Sequence, residues 1–362
     1  MKIFQIILSD IPSSDIRYAN ELYNGISVNF PEYTINQYML DKNNELTKTV
    51  IDLINTYDYL FIHNLGSDKD NYIKLYKFIK CKKILFIPNQ DVKRFISKIN
   101  IEYMHPLITS CYKIVLNKDI KELVDTVTKL SNKENIDKKL VQLDYIYNTD
   151  YTVVNDIKEK EIIQISNKGL NSKYDLFINL FIDKKEYFKD FIWKIYGVEK
   201  NIQTLSIDNL YINKKTNKES NITNFNEDII DTDKINIYHT VNNEELKEIL
   251  HKSYFACCFD NFDFMNYTIL DIIYSGTIPV FNINYAKKIK INNKQSVYDI
   301  INAIYINDNA DISDNLLISV NKYIQSVNSY KSLVLRNINK CNQLYDPKTN
   351  ITKLFNNIEN DK

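Results

Sequence analysis

Two carboxylates stand eight residues apart, Asp263 and Asp271, in the segment DFMNYTILDIIYSGTIPVF. That spacing suits a passage from loop to helix in which both acids reach one bound molecule, Asp263 from the loop and Asp271 from the helix. The helix start, around Asn266, Tyr267 and Thr268, would present unpaired N–H groups and the positive end of a dipole, which suits a phosphate. Gly276 stands where the helix must stop, a place that favours a residue free to take positive φ. Thr277–Phe281 then enters a sheet. Without a ligand, the same string reads as a helix–glycine–strand unit of any α/β fold, carrying two solvated acids.

Other residues with chemical potential are placed at the ends of apolar runs. Lys168 and Lys173, in NKGLNSK, follow the run Ile162–Ser166 and open a helical pattern. His239–Leu246, HTVNNEEL, follows another run, and Asn242 or Asn243 there can cap a short helix. His63 closes DYLFIHNL, as a capping or core histidine or as a group facing a ligand. Asp91, in IPNQDVKRF, follows Lys83–Pro88 and can cap a helix or act on a substrate; Lys93, Arg94 and Lys98 after it would make a basic rim.

The elements that must position these residues alternate in type. Lys2–Leu8 has the composition of a strand, and Ile16, Ala19, Leu22, Tyr23 and Ile26 then recur at helical spacing. Strands are expected at Tyr57–His63, Lys83–Pro88 and Tyr112–Asn117, with helices at Asp70–Lys80 and Lys118–Leu130. From Ser131 to Lys160 the chain turns polar and loses its period. Alternation resumes with strands at Ile162–Ser166, Ile202–Ile207, Ile235–His239, Tyr254–Phe259 and Thr277–Phe281. The helices between them are Ser172–Lys189, Asn243–Lys252 and Tyr267–Ser275, an exposed loop is expected at Asn213–Glu227, and two helical patterns follow Asp311. Such alternation implies parallel sheets covered on both faces. The expectation is two doubly wound halves, each binding ligands at the carboxyl ends of its strands.

Composition narrows the function. A chain of 362 residues exceeds what one core usually organises. Lys+Arg and Asp+Glu both number 46, so no global charge attracts nucleic acid or a membrane, and any such contact must be a local patch. Three arginines, five glycines and six prolines among many Asn, Lys and Ile residues fit an AT-rich genome, in which Arg and Gly signatures erode. Five cysteines without regular spacing suggest reduced thiols in a cytoplasmic compartment, and the adjacent Cys257 and Cys258 read as a buried strand. Met1–Leu8 reaches Asp10 too soon for a secretory leader, and no apolar stretch approaches the ~20 residues a membrane span needs. No Gly-rich phosphate loop or metal-ligand cluster is evident.

The Asp263–Phe281 segment resembles the donor-binding signature of retaining GT-B glycosyltransferases. It is most similar to the DNA α-glucosyltransferases of T-even bacteriophages, which share Tyr267, Thr268, Leu270, an acid at Asp271, and Gly276–Phe281. The resemblance implies a GT-B fold, two Rossmann-like doubly wound domains facing a cleft. The N-terminal acceptor-side domain spans 1–150, the nucleotide-sugar domain 160–335, and helices over 336–362 return to the first domain. It assigns Asp271 to the ribose and Asp263 to the transferred sugar. Lys168 and Lys173 fall on the diphosphate, with Lys168 where the family has Arg, and Thr240 falls on the base. His63 and Asp91 are implied on the catalytic side, and Ser9–Asp15 replaces the family's glycine-rich first loop. The implied reaction moves a sugar from UDP-glucose or a similar donor, with retention and no metal cofactor, to hydroxymethylated pyrimidines in duplex DNA. The resemblance further implies a monomer in the cytoplasm, of the host if the source is viral, without a membrane partner. A glycan, lipid or protein acceptor, or a non-catalytic GT-B-like binding protein, are the other readings of the same residues.

Overall fold

A computed structural model describes residues 1–8, 13–40, 46–63, 69–87, 106–116, 139–148, 158–165, 177, 190–198, 204–207, 210–213, 235–239, 243–259, 267–289, 291, 295–307 and 312–359. Elements are numbered over these residues. The chain divides into two compact units, the first comprising Met1–Asn148 with Gln343–Lys362 and the second Thr149–Asn342.

The strands of the first unit are β1 (Lys2–Leu8), β2 (Thr34–Leu40), β3 (Tyr59–His63), β4 (Lys82–Ile87), β5 (Lys113–Leu116) and β6 (Leu140–Gln142). The central strands, β3, β4 and β5, are apolar runs, as a sheet covered on both faces requires. All six strands pair in parallel, in the order β2-β1-β3-β4-β5-β6. Between them run α1 (Ser13–Asn29), α2 (Lys48–Ile54) and α3 (Lys69–Phe78). The helical spacing expected for α1 is realised, since Ala19, Leu22 and Ile26 are fully buried.

β2 has no counterpart among the expected strands. It lies at the sheet edge with an irregular burial pattern, and Met39 is exposed, so it lacks the apolar run that marks a central strand. The last helix, α10 (Pro347–Glu359), packs on α1 within this unit. There Phe355 meets Phe30 and Tyr33 edge-on, with centroids 5.2 and 5.0 Å apart. Tyr112 donates its hydroxyl hydrogen to the carbonyl oxygen of Ile358 at 3.0 Å.

The second unit carries a six-stranded parallel sheet in the order β11-β8-β7-β12-β13-β14. These are β7 (Glu159–Ile165), β8 (Ile192–Val198), β11 (Ile235–His239), β12 (Ser253–Cys258), β13 (Ile278–Asn282) and β14 (Ile304–Ile306). In chain order the arrangement is 3-2-1-4-5-6, the Rossmann order, with β7 as the first strand. A separate antiparallel pair joins β9 (Thr204–Ile207) and β10 (Leu210–Asn213). The helices are α4 (Asn243–Lys252), α5 (Tyr267–Tyr274), α6 (Ile283–Ala286), α7 (Val297–Ile300), α8 (Ile312–Gln325) and α9 (Val327–Tyr345).

The strand expected at Ile202–Ile207 is the first arm of that separate pair and not a sheet member. The sheet position beside β7 belongs to β8, IWKIYGV, whose mid-strand lysine disguises it. Lys194 is tolerated because its ammonium pairs with the buried carboxylate of Glu161 on β7. Glu161 also accepts the Ser253 hydroxyl at 3.2 Å, so the charge has partners from both flanking strands. The core of this unit includes Trp193, Phe255 and Tyr274, all fully buried.

Candidate functional site

α5 connects β12 to β13, so its first turn begins at the carboxyl edge of the sheet. Its residues Tyr267, Ile269–Tyr274 are buried and Thr268 is partly so. Asp271 is 4% exposed, so the reading of this residue as a solvated acid does not hold. A carboxylate kept at that depth is costly unless matched by polar partners or a ligand.

The helix is anchored at its other end. Gly276 takes φ 73°, and the N–H of Thr277 reaches the Ile272 carbonyl oxygen at 3.0 Å while that of Gly276 reaches Ile273 at 3.1 Å. These two bonds form a Schellman cap, which needs the left-handed conformation that glycine takes without strain. The Tyr330 hydroxyl donates to the Gly276 carbonyl at 2.5 Å. Lys158, just before β7, donates its ammonium hydrogens to the carbonyl oxygens of Ser275 at 2.9 Å and Leu250 at 3.2 Å, closing the ends of α5 and α4. Burial pushes the Lys158 ammonium down to about 7. The amino edge of the sheet is thus a fixed base, and the first turn of α5 is aimed by it at the opposite edge.

Sheet order identifies where that opposite edge opens. The direction of winding reverses between β7 and β12, which pair through Ile163 with Ala256 and Gln164 with Cys257. Ligands of open α/β sheets bind outside the carboxyl ends at such a reversal. Lys168 and Lys173 follow β7 in the chain, Asp263 and Asn266 follow β12, and Thr240 follows β11; all five lie outside the described residues. Of the sequence-predicted donor residues, Tyr267, Thr268 and Asp271 are described, together on α5.

One residue at this reversal escaped the sequence reading. Gln164, next to the last position of β7, is fully buried, and neither its amide nitrogen nor its oxygen has a partner among the described residues. The signal available was a single polar residue within the apolar run EIIQIS. An unmatched buried amide weakens the fold and is retained where something else meets it.

The first unit has its own reversal, between β1 and β3, where Ile7 pairs with His63. His63 ends β3, is fully buried, and neither ring nitrogen has a partner among the described residues. Its ring stacks on Phe86 at 4.6 Å and lies 6.1 Å from that of Tyr18, whose buried hydroxyl is equally unpartnered. Burial lowers His63 to about 3. The imidazole is therefore neutral at physiological pH and can offer one hydrogen-bond donor and one acceptor, but no positive charge. Asp91, Lys93, Arg94 and Lys98 lie outside the described residues. Among the described residues no group of three or more His, Cys, Asp or Glu side chains could hold a metal, and no helix is long and apolar enough to cross a membrane.

No family model matches the sequence, and no curated protein matches it. Solved structures do. An alpha-glucosyltransferase in complex with UDP-glucose and DNA containing an abasic site is similar with a TM-score of 0.74 at 13% identity, over 99% of each chain. An alpha-glucosyltransferase in complex with UDP and a 13-mer DNA containing an HMU base gives 0.72 at 12% identity, again over 99% of each chain. The Anabaena protein HepE in complex with UDP gives 0.61 at 7% identity, over 99% of this chain and 100% of that one. At such identities the likeness is one of fold. The chain has the GT-B fold, with the two parallel sheets that the alternation of elements implies.

Proposed function

We propose that this protein is a glycosyltransferase that moves a sugar from a nucleotide sugar, UDP-glucose or one like it, to hydroxymethylated pyrimidines in duplex DNA, with retention at the anomeric carbon. The observation that carries the reading is the place of α5, whose first turn opens at the carboxyl edge next to the β7–β12 reversal with Tyr267, Thr268 and the buried Asp271. In the chain, Lys168 and Lys173 follow β7 and Asp263 and Asn266 follow β12. The fold likeness to structures holding UDP, UDP-glucose and DNA supports the same assignment.

In this reading the departing diphosphate gains negative charge as the bond to the sugar breaks. Lys168, Lys173 and the N–H groups of the first turn of α5 stabilise that charge, the electrostatic term expected to dominate such a reaction. Asp271 accepts hydrogen bonds from the ribose hydroxyls, Asp263 from those of the sugar, and Thr240 contacts the base. The acceptor hydroxyl attacks on the face the nucleotide leaves, and its proton passes to a phosphate oxygen or to Asp91. His63, neutral, serves as a hydrogen-bonding group and not as a cation. Lys93, Arg94 and Lys98 contact the DNA backbone, in binding that is steeply salt-dependent. A hydroxymethyl group buried in the duplex would be rotated out of the stack, at a cost of a few kcal/mol.

Calorimetry with UDP tests the donor half. Lys173→Ala should weaken binding by about 1.5–3 kcal/mol, the worth of a charge-assisted bond. Asp271→Asn should weaken it while leaving the thermal unfolding cooperative. Parental affinity in both variants would place the donor elsewhere.

A further inference from the structure

A cavity of about 610 Å³ in the second unit lies away from the proposed donor site. Part of its lining, Tyr298–Ala303, leads directly into β14, and β14 pairs with β13 through Ile304 and Val280. The cavity is therefore at the outer strand and toward the amino-terminal edge of the sheet. The β7–β12 reversal is two strands inward, and its binding edge is the opposite one.

The charged lining holds two cations and one acid. Lys322 on α8 and Arg336 on α9 both border the cavity, and neither has a carboxylate partner among the described residues. The acid on the wall, Asp299, is turned to its own helix, where its Oδ2 accepts the Ser296 N–H at 3.0 Å and the Ser296 hydroxyl at 2.8 Å. An anion bound in this hollow would be attracted by both cations. The same wall carries aromatic faces. The Lys322 ammonium is 5.6 Å from the Tyr323 ring centroid, and Tyr298 meets Tyr305 edge-on at 4.8 Å. Tyr305 is fixed by donating its hydroxyl hydrogen to the Ile301 carbonyl at 2.5 Å and braces Tyr298, which is 39% exposed.

We infer that this cavity is a second, separate nucleotide-binding site, with phosphate held by Lys322 and Arg336 and the base laid on the tyrosine wall. The volume is that of a small-molecule pocket, which typically spans ~300–1,000 Å³, and is far more than a lone phosphate fills. Flat rings beside paired cations match a ligand that has both a planar base and an anionic end. The inference does not depend on the glycosyltransferase reading.

Equilibrium dialysis of the full chain with labelled UDP and ADP counts the sites. The expected result is a second site for at least one nucleotide. Lys322→Ala/Arg336→Ala, at exposed positions that should leave folding intact, should weaken this site roughly tenfold or more, the loss of charge-assisted contacts. The site weakened by Asp271→Asn should be untouched by the double substitution, and the reverse. Tyr323→Ala should weaken the nucleotide without changing competition by inorganic phosphate. The inference is overturned if the double variant binds both nucleotides as the parent does. It is also overturned if inorganic phosphate competes as well as the nucleotide, or if the two cations prove to matter only for duplex DNA. A single site that depends on Lys322 and Arg336, with none that depends on Asp271, would instead count against the donor reading.

Discussion

The His63 imidazole lies flat against the Phe86 ring, with centroids 4.6 Å and planes 12° apart. With both nitrogens buried and unmatched among the described residues, the ring is a polar group held in an apolar layer at the end of β3. Burial lowers it to about 3 from an ordinary 6.5. Between those values the unfolded chain takes up a proton that the folded chain refuses. Its contribution is therefore complete above pH 6.5 and is lost as pH falls toward 3, by up to about 1.4 kcal/mol per pH unit. His63→Leu should flatten the decline of urea midpoints between pH 6.5 and 4.5. A decline equal to the parent's would show that the imidazole already has a partner.

Lys158 gives the opposite end of the pH scale. Its ammonium is pushed down to about 7 from 10.5 by burial, although it caps two helix ends. Between these values the folded chain gives up a proton that the unfolded chain keeps, so stability rises with pH over that window. Below pH 7 both states are protonated and the full cost of the buried charge is present. The parent should therefore have a higher urea midpoint at pH 9.5 than at 7.5. Lys158→Met should lose that rise; a rise undiminished in the variant would assign it to other groups.

Gln164 separates stability from binding. Replacing its unpartnered, fully buried amide with Leu should leave stability unchanged or raise it, by about 1–3 kcal/mol at most, the range for an unmatched buried polar group. If the amide meets the donor, as its place at the β7–β12 reversal suggests, UDP affinity should fall in the same variant. Thermal unfolding and UDP calorimetry on one preparation decide this. A destabilised variant with parental UDP affinity would make Gln164 a packing residue.

The central strands and the α5–β13 unit could be read from sequence because their signals are local. β3, YLFIH, is buried at every position, so its apolar run is unbroken, and Gly276 has the positive φ that its place after a helix requires. What escaped depends on neighbours distant in sequence. β2 is a strand because it pairs along β1, from Lys2 with Thr34 to Leu8 with Leu40, not because of its own pattern. β8 hides Lys194 against Glu161, thirty-three residues away. Asp271 looked like a surface acid because nothing in TILDIIY says that the polar face of α5 is covered too. Gln164 became a candidate only through its burial and its lack of partners, neither of which composition records.

Transfer of a sugar to a modified base can be read directly from the mass of the product. The protein should be incubated with UDP-glucose and duplexes containing hydroxymethylcytosine, hydroxymethyluracil or no modification, and the nucleosides then digested and weighed. A hydroxymethylated nucleoside should gain the mass of one hexose, and the unmodified duplex should gain nothing. No added mass on any duplex, with sugar passing from the same donor to a glycan, lipid or peptide acceptor, would contradict transfer to a modified base.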